Sequence, residues 1–326
     1  MNYNFACEGN EMAGIVNWGV LGYARIARLS VIPAIGRAAN ARLLGVASRN
    51  AGELPANEWE RTYESYDALL ADDDIQAVYI PLPNSLHKEW VIKALEAGKH
   101  VLCEKPLGLT AAEAQEMSLS AEHHQRILME AFMYRYTDRM QVVKEILDSG
   151  VLGDLRHINA SFRFLLDRPG TIKANSALGG GALYDVGCYP VNFVGMVTGR
   201  LPLRCKALVE TEQGVDTNLS ALLQYDDGLI ANIHCGFNAF SRIYAEIIGT
   251  KGMLRIDNTF LDDAGEVYLH LAEGVRAIPV AESDRYKAEI THFSDAVLNQ
   301  SAPLLTLDES IMNLKVLDMI RKDMQR

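Results

Sequence analysis

The chain has 326 residues, 49% of them hydrophobic and 22% charged, which is enough apolar material for two domains or one large α/β unit. Its net charge of −11 argues against a nucleic-acid partner, and no apolar run approaches the roughly 18 residues of a membrane span. Five scattered cysteines without a Cys-x-x-Cys fit reduced thiols in a cytoplasmic protein better than a disulfide framework.

Residues 1–14 carry Glu8 and Glu11 and no apolar core, so they read as a loose tail and not a secretory signal, with Met12 as a candidate start. From residue 15 to about Arg135, apolar strands alternate with helical patterns. Strands are predicted over Ile15–Leu21, Arg42–Ala47, Ala77–Leu82, His100–Glu104 and Ile127–Ala131, and helices over Arg25–Ala38, Asp67–Leu70, Leu86–Ala97 and Ala111–His123. Gly98 stands where a left-handed cap ends the third helix. Short strands with helical crossovers predict a parallel, doubly wound sheet.

The pattern then changes. Arg156–Phe164 alternates, with Ile158, Ala160, Phe162 and Phe164 on one face and His157, Asn159, Ser161 and Arg163 on the other. Further strands are predicted over Leu203–Glu210, Thr217–Gln224, Leu229–Cys235, Tyr244–Ile248 and Met253–Ile256. Consecutive strands of this kind favour an antiparallel sheet. Helices from about Tyr184 to Val197 and over Asp308–Met324 complete this half, so the chain divides into a tail (1–14), a doubly wound unit (15–135) and an α+β unit (136–326).

Gly19-x-x-Gly22-x-Ala24 follows the first strand and opens the first helix, the setting in which glycine lets the chain approach a diphosphate at a helix amino terminus. Ala24 stands where a third glycine is usual. At the end of the second strand a carboxylate would bind the ribose diol of NAD, whereas an arginine accepts the extra phosphate of NADP. This chain has Ser48-Arg49 there and no acid, so NADP is expected, with NAD the lesser choice.

Glu104-Lys105-Pro106 ends a buried strand and puts a lysine at the sheet edge where ligands bind. Gly179-Gly180-Gly181 precedes Asp185 and Tyr189, which are four apart and share a helical face. Hydride transfer at an alcohol carbon needs a group to take or return the hydroxyl proton. Tyr189 suits this if its pKa falls from about 10; three units take about 4 kcal/mol. An ammonium at about 4 Å supplies roughly that much, which makes Lys105 its expected partner. A carboxylate beside the phenol would oppose ionisation, so Asp185 is expected to orient Lys105 or bind a substrate hydroxyl. The bland alternatives are a core tyrosine, a surface lysine and a helix-capping aspartate.

At these residues the sequence resembles the glucose–fructose oxidoreductase/inositol dehydrogenase/MocA family over nearly the whole chain. The likeness rests on Trp18–Ala27, Pro83-Asn84-x-x-His87, Gly98–Pro106, Glu130–Arg135 and Gly179–Tyr189. It implies a Rossmann doubly wound parallel sheet followed by an α+β domain with a large, open-faced, mostly antiparallel sheet. Lys105 would be the catalytic-site lysine. Cofactor contacts are expected at Gly19, Gly22, Tyr23, Ala24, Arg25, Ile26, Ser48, Arg49, Pro81, Leu82, Asn84, His87, Glu104 and Lys105. Tyrosine at 189, where inositol dehydrogenases carry histidine, is similar to the branch of NADP-dependent xylose dehydrogenases, dihydrodiol dehydrogenases and sugar ketoreductases.

Asp185, Arg163, Arg135 and Asp167, with His87, are expected to line a substrate cleft suited to a sugar or polyol. His87 reads equally as a residue touching only the cofactor. No histidine spacing suits a metal, and none is expected. The resulting expectation is an NADP-dependent, aldose 1-dehydrogenase-like oxidoreductase, homodimeric or homotetrameric through its open sheet. Keto-sugar reduction and trans-dihydrodiol oxidation are the alternatives within the enzyme class, and a non-catalytic NADP sensor is the alternative outside it.

Overall fold

Six short, apolar strands form the first sheet of the computed structural model, which describes residues 14–50, 52, 54–55, 58–167 and 171–325. The expectations for the tail before Gly14, Met12 included, lie outside the described residues. The strands are β1 (Val16–Leu21), β2 (Ala41–Ala47), β3 (Arg61–Tyr63), β4 (Ala77–Ile80), β5 (His100–Glu104) and β6 (Leu128–Ala131). All neighbours pair in parallel, in the order β3-β2-β1-β4-β5-β6. The order reverses between β1 and β4, the switch point at whose carboxyl ends ligands bind in open α/β sheets.

Helices cover both faces, as near-continuous apolar strands require. The first runs over 25–37 as a π turn, Ala27–Val31, leading into α1 (Ile32–Arg37). Next come α2 (Tyr66–Leu70), α3 (His87–Glu96) and α4 (Ala111–His123). Gly98 adopts φ +76° just past α3, the left-handed stop that its position predicted. Thr110 caps α4 by accepting the Glu113 N–H.

The second sheet has eight strands: β7 (Leu155–Leu165), β8 (Arg204–Glu212), β9 (Val215–Gln224), β10 (Ile230–Gly236), β11 (Asn238–Gly249), β12 (Gly252–Asp257), β13 (Gly265–Leu271) and β14 (Gly274–Val280). Its order is β14-β13-β12-β11-β7-β10-β9-β8, and only β10 and β7 run parallel. The alternation read in β7 holds. Ile158, Ala160 and Phe162 are buried in the core. The other face carries a polar network in which Asn159 donates to Glu246 and Asn232 donates to both Asn159 and His157. Leu208, Leu222 and Ile230 lie exposed on that face.

Between and after the sheets come α5 (Asp138–Asp148), α6 (Cys188–Thr198), α7 (Arg285–Asn299) and α8 (Leu307–Met324). Strands β3, β13 and β14 and helices α5 and α7 were not predicted. Helix α7 returns to the first sheet, where Phe293 packs 5.2 Å from Trp18 and Ser294 accepts the Trp18 indole N–H at 3.1 Å. No helix among the described residues is long and apolar enough to cross a membrane.

Candidate active site

The nucleotide turn sits at the reversal of strand order, and its two glycines stand in different places. Gly19 lies inside β1, where a Cβ would meet Leu69 at 2.7 Å and Ile75 at 3.1 Å. It is bare to admit Leu69 of α2 and Ile75. The turn proper is Gly22-Tyr23-Ala24. Gly22 takes φ +114°, with Leu82 and the Tyr66 hydroxyl 3.0 and 3.5 Å from where a Cβ would be. That bare backbone, the helix amino terminus beginning at Arg25 and the fully buried Ala27 form a cradle that fits a dinucleotide diphosphate. Pro81 and Leu82 wall it, Ile26 is half-buried and Tyr23 meets Trp59 edge-on at 5.4 Å. Ser48 is buried and Arg49 exposed at the end of β2. Burial pushes the Tyr66 phenol up, and the Arg49 guanidinium beside it pulls it back, so Arg49 lies against the cradle.

The chemical centre forms where β5 meets the helix that follows the glycine triplet. That helix begins as a π turn, Leu183–Gly187, before α6. Its amino terminus is capped from another strand: Asp216 of β9 accepts the Leu183 N–H at 2.6 Å. Gly181 is bare because a Cβ would lie 2.1 Å from the Asp216 carboxylate. Within this wide turn Lys105 Nζ donates to the Asp185 carbonyl at 2.7 Å, and the Cys188 thiol also approaches that carbonyl. The same ammonium lies 3.5 Å from Asp185 Oδ1 and 4.8 Å from the centroid of the Tyr189 ring. Glu104 accepts the Tyr79 hydroxyl at 2.6 Å behind it.

Electrostatics at this centre differ from the expectation in one respect. Burial pushes the Tyr189 phenol well above its ordinary range, and Lys105 offsets this only in part. The phenol is therefore neutral, whereas a lowered pKa was predicted. The lysine lies on the ring face, and the Tyr189 hydroxyl points to Met133 Sδ at 3.6 Å. Burial alone would lower the Lys105 ammonium, but the acidic groups around it, Asp185 and Glu104 among them, hold it well above its usual value. Burial likewise opposes ionisation of Asp185, and Lys105 and Lys173 overcome it, so its carboxyl stays below the ordinary range.

Lys105, Asp185 and Tyr189 are thus brought together, while other predicted residues are not. Arg163 projects from the sheet face opposite Phe162, whose ring packs 5.2 Å from Tyr189, and donates to Asn218 at 3.3 Å. Arg135 is buried and spent on Glu309 at 3.0 Å and Asn192. His87 is fully buried, its ring bridging the Leu82 and Pro106 carbonyls at 2.9 Å each, and so does not line a cleft. The Asn84 amide donates to the Gly179 carbonyl at 2.8 Å, tying the first sheet's loop to the glycine triplet. Asp167 is exposed just beyond β7.

Three residues were missed. Lys173 and Asp216 contact the site from distant sequence, which no local pattern signals. Glu130 lay within a quoted motif; its fully buried carboxylate accepts the Leu107 N–H at 2.8 Å and so braces the turn after Lys105. Burial pushes its carboxyl up to about 7.

A dinucleotide cradle at the switch of a parallel sheet, with a lysine, an aspartate and a tyrosine gathered at its edge, defines an oxidoreductase of the nicotinamide-dependent class. The model of the oxidoreductase family with an NAD-binding Rossmann fold matches residues 16–132, and that of the GFO/IDH/MocA C-terminal domain matches residues 140–255. The chain belongs to the GFO/IDH/MocA oxidoreductase family. It is 35% identical to the D-xylose 1-dehydrogenase (NADP(+)) 2 of Haloferax volcanii, over 93% of this chain and 95% of that one. It is 36% identical to the trans-1,2-dihydrobenzene-1,2-diol dehydrogenase of Mus musculus, over 74% of each. The crystal structure of a 3-ketoreductase from Actinomadura kijaniata with NADP and TDP-benzene superposes with a TM-score of 0.88 at 30% identity, covering 95% of this chain and 98% of that one.

Proposed function

We propose that the protein transfers a hydride between NADP and a sugar hydroxyl or carbonyl, with an aldose oxidised at C1 as the leading substrate. The observation that carries this reading is the Lys105 ammonium, fixed on the Asp185 carbonyl at 2.7 Å and lying over the Tyr189 ring at the carboxyl edge of the sheet. When bound, the nicotinamide supplies the hydride donor or acceptor. Lys105 polarises the reacting oxygen, and Tyr189 gives or takes its proton. Met133 sulfur is a weak acceptor, so a substrate oxygen readily replaces it as partner of the Tyr189 hydroxyl. Asp185 accepts from a neighbouring substrate hydroxyl. Arg49, with Ser48 beside it, carries the NADP preference.

The neutral Tyr189 phenol favours a second reading, reduction of a keto-sugar, because a protonated phenol is ready to donate. The ketoreductase relative is also solved with a tyrosine changed to phenylalanine and with a lysine changed to alanine. Residues 15–135 serve as the dinucleotide unit and 136–326 as the substrate and oligomerisation unit, although α7 packs on the first sheet. The unpartnered face of the second sheet favours a homodimer or homotetramer. Four cysteines are unpaired among the described residues, which favours the cytoplasm.

Initial rates with NADP and NAD across aldoses, polyols, cyclic diols and keto-sugars test this reading. Turnover of one sugar group with a preference for NADP is expected. Tight NADPH binding with no turnover of any carbonyl or alcohol would overturn it in favour of a sensor.

A further inference from the structure

We propose that Lys173 is a positioning residue of the site, holding the Asp185 carboxylate from the side opposite Lys105 and so fixing how it meets a substrate hydroxyl; this rests on the oxidoreductase reading above. Lys173 Nζ donates to Asp185 Oδ2 at 2.6 Å, and Lys105 approaches Oδ1 at 3.5 Å. Each carboxylate oxygen therefore has its own ammonium. Lys105 is also committed to the Asp185 carbonyl, so without Lys173 the carboxylate would be free to turn about its side-chain bonds.

Lys173 is seated for this task. Its ammonium lies 5.1 Å from the centroid of the Phe164 ring and 5.9 Å from that of Phe237, a cation–π seat at the end of the second sheet. The backbone around it is knitted to the glycine triplet. The Gly181 N–H donates to the Lys173 carbonyl at 2.8 Å, and the Gly180 N–H to the Asn175 carbonyl at 2.9 Å. A Cβ on Gly180 would lie 2.6–2.7 Å from the carbonyl oxygens of Lys173, Asn175 and Ile172. The bare glycine is what lets a lysine twelve residues upstream fold back onto Asp185.

The groups facing Asp185 are Lys105, Lys173, Glu104 and Cys188, and Lys105 in turn lies over the Tyr189 ring. The two lysines outweigh Glu104 and keep the carboxylate ionised and acceptor-only. Such a group recognises a hydroxyl donor beside the reacting carbon, which narrows the substrate class to those with vicinal hydroxyls.

The test compares wild type with Lys173→Met and Lys173→Arg. Titration of the Asp185 carboxyl is followed by carbon-13 NMR in aspartate-labelled protein and assigned with Asp185→Asn, which requires no turnover. Lys173→Met is expected to move the Asp185 midpoint upward and to raise KM for the sugar about tenfold or more, the usual consequence of losing a charged hydrogen bond. Lys173→Arg is expected to restore both. An unchanged Asp185 midpoint in folded Lys173→Met overturns the proposal, as does an unchanged KM. If wild type turns over no sugar, the oxidoreductase reading fails while the NMR shift still decides the Lys173–Asp185 link.

Discussion

Around the Tyr189 ring, the rings of Phe132, Tyr134, Phe162 and Phe260 stand at centroid distances of 5.2 to 6.0 Å. This low-dielectric wall raises the phenol's pKa by more than one ammonium on its face lowers it. The two directions of reaction then differ in pH dependence. Reduction uses the neutral phenol and is expected to be flat through neutrality. Oxidation needs the proton removed and is expected to rise with pH, by up to tenfold per unit. Tyr189→Phe should lose that slope and about two to four orders of magnitude of turnover; initial rates from pH 6 to 10 check both. Arg49→Ala is expected to erase the NADP preference, read as the ratio of kcat/KM for NADP and NAD. Lys105, Asp185 and Tyr189 were legible because each stands in a dense local motif. Arg163 and Arg135 stand apart from that trio for a physical reason. One falls on the far face of its strand, and the other found Glu309 across 174 residues, a pairing no window reveals.

At the scale of elements, the helix that carries Asp185 and Tyr189 depends on a cap from another strand. Asp216→Ala removes the acceptor for Leu183 and is expected to cost about 1–2 kcal/mol of stability, as lost caps do. Thermal unfolding measures the loss, and turnover is expected to fall with it because both site residues ride on this helix. Strands with strong apolar runs or clear alternation were readable, among them β1, β5 and β7. β3 has three residues, too few for a period. β14 carries Pro279 and is largely exposed, so no hydrophobic pattern marks it. Helix α5 has a clear Thr137 cap.

Across the whole molecule, burial raises several carboxyls above their ordinary values. Burial raises Glu130 from 4.5 to about 7 and also raises Glu104, Asp216 and Glu289. A carboxyl raised on folding contributes stability that is full below its unfolded value and lost as pH climbs through the folded one. Glu130 alone accounts for about 3 kcal/mol, since each unit is worth about 1.4 kcal/mol. His87, His100, His234 and His292, all lowered by burial, act in the opposite sense, so the Glu130 share is read as a difference: the melting temperature of Glu130→Gln relative to wild type is expected to rise from pH 5 to pH 8. On the open sheet, Leu208 is 81% exposed and Leu222 is 51% exposed. Light scattering is expected to give a dimer or tetramer mass, and Leu208→Glu to reduce it; a monomer mass for wild type would remove the oligomer from the account.

The central claim is that Lys105 and Tyr189 together move the proton while NADP carries the hydride. Its most direct measurement is single-turnover oxidation of bound NADPH by a keto-sugar or aldonolactone in wild type, Lys105→Met and Tyr189→Phe, with NADPH affinity measured in parallel. The account predicts that both variants bind NADPH, yet transfer hydride at least about a hundredfold more slowly than wild type. Hydride transfer at the wild-type rate in either variant would contradict it.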